Sequence, residues 1–410
     1  VRSTLTLRLL LVTLLTGLLG LPALPAPAQT VTEPPTAGCP NRELPPPPVD
    51  TSEEPPPGEA SPAPPPVPAT PAGGERMAEC GLVLPEGAPA PPRPQTAHAW
   101  LLQDLGTGQV LAAKNPHGRY RPASLIKTLL ALVVIEELEP TDIVVPTEED
   151  ANQECTCVGI VAGAKYTVDD LLHALLMRSG NDVAHALATA VGGVPTAVRK
   201  MNELAASLGA GDTRAATPSG LDGPGMMTSA YDMSVIFAYA MRQPEYAAAV
   251  GTRHMTFPGG DGPDYPVYND NKLFGTLPGF LGGKTGFTDD ARHTYAGAAE
   301  RDGKRVAVVL LRAEQRPIRV SEQAQALLEY GFSLASAGTG AVGTVTTAPP
   351  PPDTSGVVPG EGGTATSTAT AQAEEDPFGT TGWIVTLLVS LIVLVGFVIA
   401  HRRGALVQRE

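Results

Sequence analysis

The sequence predicts an α/β protein of the α+β kind, one antiparallel sheet covered by helices, followed by a linker and a single C-terminal transmembrane helix. Three observations lead there. Residues 97–335 show strand patterns at both ends with helical patterns between, the signature of one sheet packed against helices. Of the 43 prolines, 21 fall between Gln29 and Leu101, so that stretch is set apart from the packed part. Two long apolar runs lie at the chain ends.

In chain order, residues 1–28 read as a signal peptide. Arg2 and Arg8 supply positive charge, residues 9–21 are apolar, and Ala26-Pro27-Ala28 offers small residues for cleavage before Gln29, the pattern of an export signal. Residues 29–96 are Pro-rich and acidic, with runs such as 45–48 and 55–57. That composition favours extended polyproline II and predicts a disordered spacer. Residues 98–103 and 109–113 are short apolar runs around Asp104-Leu105-Gly106-Thr107-Gly108, a β-hairpin pattern. Residues 124–138 read as an apolar helix stopping before Pro140, because the position before proline disfavours helix. Helical patterns follow at 168–177, 182–191, 196–208 and 229–241, strands at 284–288, 294–299 and 305–311, and a closing helix at 321–334.

Residues 336–382, rich in Gly, Thr, Ala and Pro, predict a flexible tether. Its typical reach, for some 45 residues, is roughly 37 Å. Residues 383–400 hold no charge, and as a helix they span about 27 Å, close to the hydrocarbon thickness of a bilayer. Glu374, Glu375 and Asp376 precede the run; His401, Arg402 and Arg403 follow it. The positive-inside rule then places the tail 401–410 in the cytoplasm and the rest outside. The expected location is the cell membrane, single-pass, with the 97–335 domain extracytoplasmic.

Composition narrows the function. A formal net charge of −14 argues against a nucleic-acid partner, which calls for a basic face. The four cysteines are too few for a disulfide-dense scaffold. None lies in a Cys-x-x-Cys or Cys/His pattern, so neither metal nor cofactor is expected. Four cysteines allow three pairings. Cys155 with Cys157 is a tight bond that leaves Cys39–Cys80 to close a loop in the N-terminal segment; alternatively both bonds tie that segment to the domain. The residues leave the choice open.

Three short motifs carry chemistry. Ser124-Leu125-Ile126-Lys127 opens a helix, and positions i and i+3 share a helix face, so the Lys127 amine can approach the Ser124 hydroxyl. A serine needs a base, and a lysine serves only if its pKa is lowered enough to keep it neutral; Leu125, Ile126, Leu129 and Leu130 supply apolar surroundings. Alone the pattern is weak, since Ser-x-x-Lys arises about once by chance in a chain of this length. Ser179-Gly180-Asn181 sits between two helix patterns and offers a hydroxyl and an amide for proton relay and carbonyl binding. Lys284-Thr285-Gly286 lies on a strand after Gly282-Gly283, where an ammonium and a hydroxyl suit a carboxylate and Gly286 admits a ligand backbone.

Each motif occurs once, and in this order they resemble the set shared by class A β-lactamases and penicillin-binding proteins. The Ser-Gly-Asn form of the middle motif points further, as do Pro218-Ser219-Gly220-Leu221-Asp222, residues 228–232 and Gly282-Gly283-Lys284-Thr285-Gly286-Phe287-Thr288. Residues 97–335 are similar to the low-molecular-mass penicillin-binding proteins of the D-alanyl-D-alanine carboxypeptidase type, the S11 serine peptidases. The resemblance implies a β-lactamase/DD-peptidase-like fold with a helical subdomain, a peptidoglycan stem peptide as substrate, and β-lactam antibiotics as covalent inhibitors. It makes Ser124 the acylated nucleophile and Lys127 its base, sets Ser179 and Asn181 in the cleft, gives Lys284 and Thr285 the substrate carboxylate with Gly286 and Phe287 beside them, and forms the oxyanion hole from the Ser124 and Phe287 N–H groups. Relatives with a β-sandwich domain after the catalytic one differ from this chain, where the tether and membrane helix follow. Arg292 and His293 have no assigned role.

The competing readings fit less well. A class A β-lactamase uses a glutamate for deacylation, set in a Glu-x-x-Leu-Asn loop; no such pattern occurs between Asn181 and Lys284. A non-catalytic β-lactam or cell-wall sensor calls for a larger cytoplasmic output than the residues after Ala400. A purely structural wall-binding protein has no need of all three motifs. A zinc peptidase needs clustered ligands, whereas His173 and His185 sit apart on helix patterns.

Overall fold

The computed structural model describes residues 38–346. The expected signal segment 1–28, the greater part of the 336–382 tether, the expected membrane helix 383–400 and the tail 401–410 lie outside the described residues. Among the described residues no helix is long and apolar enough to cross a membrane.

The chain runs through Leu82–Val83 (β1), Ala99–Asp104 (β2) and Gln109–Lys114 (β3) into a 3₁₀ turn, Ala123–Ile126, and the helix Lys127–Glu137 (α1). Next come Ile143–Val144 (β4), Glu148–Ala151 (α2), Tyr166–Thr167 (β5), Val168–Arg178 (α3), Asn181–Ala190 (α4), Val194–Ser207 (α5) and Ala230–Ala240 (α6). Pro244–Gly251 (α7) precedes a hairpin, His254–Phe257 (β6) and Tyr265–Tyr268 (β7). Phe280–Thr288 (β8), Arg292–Arg301 (β9), Lys304–Ala313 (β10), Val320–Ala337 (α8) and Gly343–Thr344 (β11) complete it. The main sheet is antiparallel, in the order β1-β3-β2-β10-β9-β8, with β11 also on β3. β8 is therefore an edge strand, with one row of backbone groups open to a ligand.

The sheet is buried on both faces. On β10, Val306, Val308 and Leu310 pack with Trp100, Leu102 and residues of α8 such as Leu327 and Leu328. Ala307, Val309 and Leu311 alternate with them and join the helical side, with Leu129, Val235 and Ile236. Period-two alternation with both faces apolar gives the near-continuous hydrophobic run of β10. α1, buried from Lys127 to Val134, is apolar all round because it lies at the centre of the helical layer. Thr167 and Ser229 cap α3 and α6, each accepting from the backbone N–H three residues on, which satisfies a donor that a helix start leaves open.

The expected helices 168–177, 182–191, 196–208 and 229–241 correspond to α3 to α6, and the strands 284–288, 294–299 and 305–311 to β8 to β10. α7 and the β6–β7 hairpin were not anticipated. Each strand of the hairpin is only four residues long and buries one side chain, Phe257 or Val267, too short a pattern to stand out.

Two boundaries need correction. Residues 38–96, expected as a disordered spacer, lie on the domain: Met77 is in its core, β1 pairs with β3, and Arg42 is buried against Asp212 at 2.5 Å. Proline-rich chain needs no ladder of its own to be ordered when side chains of the domain take up its carbonyls. The domain also runs past residue 335, because α8 reaches Ala337 and β11 adds to the sheet, with Val342 and Val345 buried.

Candidate active site

Ser124 leads into α1 from the 3₁₀ turn, and in 3₁₀ geometry side chains at i and i+3 eclipse. Lys127 Nζ accordingly lies 3.0 Å from Ser124 Oγ. It also lies 2.7 Å from Asn181 Oδ1 and 3.4 Å from Ser179 Oγ. Ser179 occupies the C-cap of α3 in the left-handed region (φ 64°), and Asn181 begins α4, so the turn between two helices aims both side chains at Lys127. The turn is anchored from outside. Asn181 donates through its backbone N–H to Thr156 O (2.6 Å) and through Nδ2 to Glu154 O (2.7 Å). The buried Asp182 carboxylate accepts from the backbone N–H groups of Val158, Gly159 and Ile160.

β8 closes the other side. Lys284 Nζ donates to Ser179 Oγ at 2.8 Å and to Thr285 O at 2.7 Å, so Ser179 bridges the two lysines. Thr285 Oγ1 faces the Asp270 carboxylate at 3.4 Å. A Cβ on Gly286 would stand 2.5 Å from Thr294 Oγ1 and 2.8 Å from Ser124 N; only glycine lets β8 come this close to Ser124. Gly220 has φ +85°, and its Cβ would fall 2.1 Å from Ala123 O; Ser219 O accepts from Ser124 Oγ at 3.5 Å. The three predicted motifs thus meet around one hydroxyl, at the mouth of a cleft of about 1020 Å³ that continues along Thr285, Phe287 and His293 to the loop before α8.

Electrostatics suits the arrangement. Both lysines are buried, at 0 % and 1 % exposure. Burial first, and the neighbouring Lys284 charge second, hold Lys127 well below the usual lysine range, against the opposing pull of Asp182 and Asp270. Burial brings Lys284 to about 8, opposed by Asp270. A neutral Lys127 amine has two N–H bonds and one lone pair; with the N–H bonds directed to Asn181 Oδ1 and Ser179 Oγ, the lone pair faces Ser124 Oγ.

Phe287, 47 % exposed, lies against the His293 ring (centroids 4.5 Å apart) and under the Arg292 guanidinium. Arg292 pairs with Glu314 at 3.0 Å and His293 contacts Gln315. His293 and Gln315 line the cleft, while Arg292 stands against Phe287. Sequence reading missed Asp270, Glu154 and Thr156. Asp270 lies in the polar run Asn269-Asp270-Asn271, which signals only a turn; the other two act through backbone carbonyls, which no side-chain pattern reveals. The cysteines pair as Cys39–Cys80 and Cys155–Cys157, the arrangement that keeps both bonds local.

The profile of the D-alanyl-D-alanine carboxypeptidase family, peptidase S11, matches residues 86–315. The D-alanyl-D-alanine carboxypeptidase DacB2 of Mycobacterium tuberculosis is 42% identical over 257 residues, which are 62% of this chain and 87% of the relative. DacD of Escherichia coli is 33% identical over 264 residues, 60% of this chain and 66% of the relative. Among solved structures, a D-alanyl-D-alanine carboxypeptidase of Mycobacterium tuberculosis H37Rv superposes with a TM-score of 0.61 at 41% identity, covering 64% of this chain and 99% of that one. The Streptomyces K15 DD-transpeptidase gives 0.56 at 27% identity, over 60% and 100%. With a profile match over more than half its length, and with the serine, the two lysines and the Ser-Gly-Asn turn assembled as above, the chain belongs to the S11 family of serine peptidases, the D-alanyl-D-alanine carboxypeptidases.

Proposed function

We propose that the chain removes the terminal D-alanine from peptidoglycan pentapeptide stems through an acyl-enzyme on Ser124. Family membership makes it a serine-type D-Ala-D-Ala carboxypeptidase. The observation that carries the residue assignment is the buried Lys127 amine, 3.0 Å from Ser124 Oγ and oriented by Asn181.

The substrate's terminal carboxylate docks on Lys284 and Thr285, which favours cleavage of the last peptide bond over internal ones. Lys127 takes the Ser124 proton as Oγ attacks the carbonyl carbon. The N–H groups of Ser124 and Phe287 receive the oxyanion. The C–N bond then breaks, and the leaving amine receives the proton from Lys127 through Ser179, which touches both lysines. Free D-alanine departs. Water attacks the ester, with Lys127 again taking a proton, and Ser124 is regenerated. β-Lactams present a strained amide and a carboxylate in the same relation and acylate the same oxygen. With no glutamate assigned to deacylation, the penicilloyl ester should turn over slowly. The location that fits is the outer face of the cell membrane, with residues 1–28 directing export and residues 383–400 anchoring the chain.

The test is release of free D-alanine from a pentapeptide ending in D-Ala-D-Ala, with matched peptides ending in L-Ala or in a C-terminal amide as controls. Release from the first alone is expected. Equal release from the L-Ala peptide, or fast β-lactam hydrolysis with no D-alanine, would overturn the reading.

A further inference from the structure

Residues 39–80 are not used by the chemistry above, yet they lie beside it. The Cys39–Cys80 bond closes this segment into a loop. Its outward limb passes Asn41, Arg42, Glu43 and Pro46; its tip is residues 49–53; its return limb passes Pro62, Pro65 and Ala72. At the base, Arg42 and His117 both meet the buried Asp212 carboxylate, His117 Nδ1 at 2.8 Å.

The domain grips this strap mainly through the segment that delivers the nucleophile. Arg119 and Arg121, both buried, precede Ser124 by five and three residues. The Arg119 guanidinium donates to Glu43 O (2.8 Å) and Pro65 O (2.7 Å), and its backbone N–H donates to Asn41 O (2.7 Å). Arg121 makes a two-pronged pair with Glu53 and donates to Pro46 O at 2.7 Å. Ala123, next to the nucleophile, has φ 48°. A left-handed alanine is strained and persists only where surrounding contacts over-determine it. The same strap tip holds the turn after β8: Asp290 accepts from Val49 N (2.5 Å) and from Ser52 Oγ (3.4 Å). Asp290 follows Phe287 by three positions.

We propose that the disulfide-closed strap 39–80 is a positioning element of the active site, with Glu53 and Arg121 as its principal pair. It ties the Ala123 turn to the β8–β9 turn, and so keeps the Ser124 and Phe287 N–H groups facing one carbonyl oxygen. The proposal rests on the Ser124 acyl-enzyme reading. A purely stabilising role fits the chemistry of the tip less well. Carboxylate oxygens of Glu53, Asp222 and Asp290 lie within 4.8 Å of one another, with Arg121 as the cation between Glu53 and Asp290. Like charges at that distance repel, and a buried ionic cluster is weak support for stability compared with apolar packing. What such a cluster does provide is a geometry set by one guanidinium.

The test uses the full chain as wild type, Glu53→Gln, Glu53→Asp and Cys39→Ser/Cys80→Ser. Acylation by benzylpenicillin is followed by intact mass at several drug concentrations, with thermal midpoints in parallel. For Glu53→Gln, a fall of about tenfold in the saturating acylation rate is expected, with the half-saturating concentration held within about twofold, because misplacing reacting groups costs rate rather than ground-state binding. Glu53→Asp should recover part of the rate, and opening the disulfide should lower it. If Glu53→Gln does not fold, the disulfide variant decides alone. Wild-type rates in these variants, with or without a lower thermal midpoint, would overturn the strap proposal while leaving Ser124 in place. A wild type that is neither acylated on Ser124 nor releases D-alanine would overturn the underlying reading, and the strap proposal with it.

Discussion

Burial removes the Lys127 amine from water and sets it beside a second cation, Lys284, and both effects favour the neutral amine that can accept the Ser124 proton. Removing it leaves the serine without a base. Lys127→Ala should therefore slow penicillin acylation by about 10²–10⁴-fold with an unchanged circular dichroism spectrum; in the wild type, peptide mapping should place the adduct on the Ser124 peptide. Near-normal acylation of the variant would require another base. The two lysines also set a pH profile. On the proposed mechanism acylation needs Lys127 neutral and Lys284 charged, so efficiency should rise as Lys127 loses its proton and fall as Lys284 loses its own, near about 8. Arginine stays protonated throughout this range. Lys284→Arg should thus move the alkaline limb of kcat/KM upward, even if the maximum is lower; an unmoved limb would assign it to another group.

At the scale of elements, the site depends on close approach between an edge strand and a helix start. The sequence reading already placed Ser124 and Lys127 on one turn, because their spacing is local. It did not show that the turn is 3₁₀ and opens on Ala123 at φ 48°. Gly286 is the test of that approach. Gly286→Ala places a methyl 2.8 Å from Ser124 N, so either β8 or the nucleophile turn must give way. The expected outcome is loss of acylation by about 10²-fold or more in a protein that still unfolds cooperatively. Retained activity would mean that the close approach is dispensable.

For the whole molecule, the described domain begins at the strap and ends with β11. Tyr231 donates its hydroxyl proton to Thr344 O, and Thr344 N donates to Gly73 O, so strap and last strand lock together on the outer side of β3. A fragment 38–346 should be soluble and active, whereas 38–335 exposes the edge of β3 and removes Val342 and Val345 from the core. The shorter fragment should melt several degrees lower, as expected for a loss of about 1–3 kcal/mol in a domain of this size; equal midpoints would show that β11 is not part of the cooperative unit. On cells, protease cleavage between 347 and 382 should release active enzyme. Activity that stayed on the membrane after confirmed cleavage there would call for an anchor other than residues 383–400.

Sequence alone determined what rests on short range: the period-two and helical patterns of 97–335, the Ser124/Lys127 pair one turn apart, the Ser-Gly-Asn turn, and the lysine and glycine of one strand. These signals survive in one dimension because each depends on residues a few positions apart. Only the tertiary structure decided what depends on chain segments far apart in sequence. Ser179 touches Lys127 and Lys284, 52 and 105 positions away, and Asp270 comes to face Thr285. Glu53 reaches Arg121 across 68 residues, turning a proline-rich run that composition alone reads as spacer into part of the wall behind the nucleophile. Proline-rich chain carries no hydrophobic periodicity, so its order comes from ion pairs and hydrogen bonds with the domain it lies on, from Met77 in the core and from β1 pairing with β3, and those partners become neighbours only once the domain has folded.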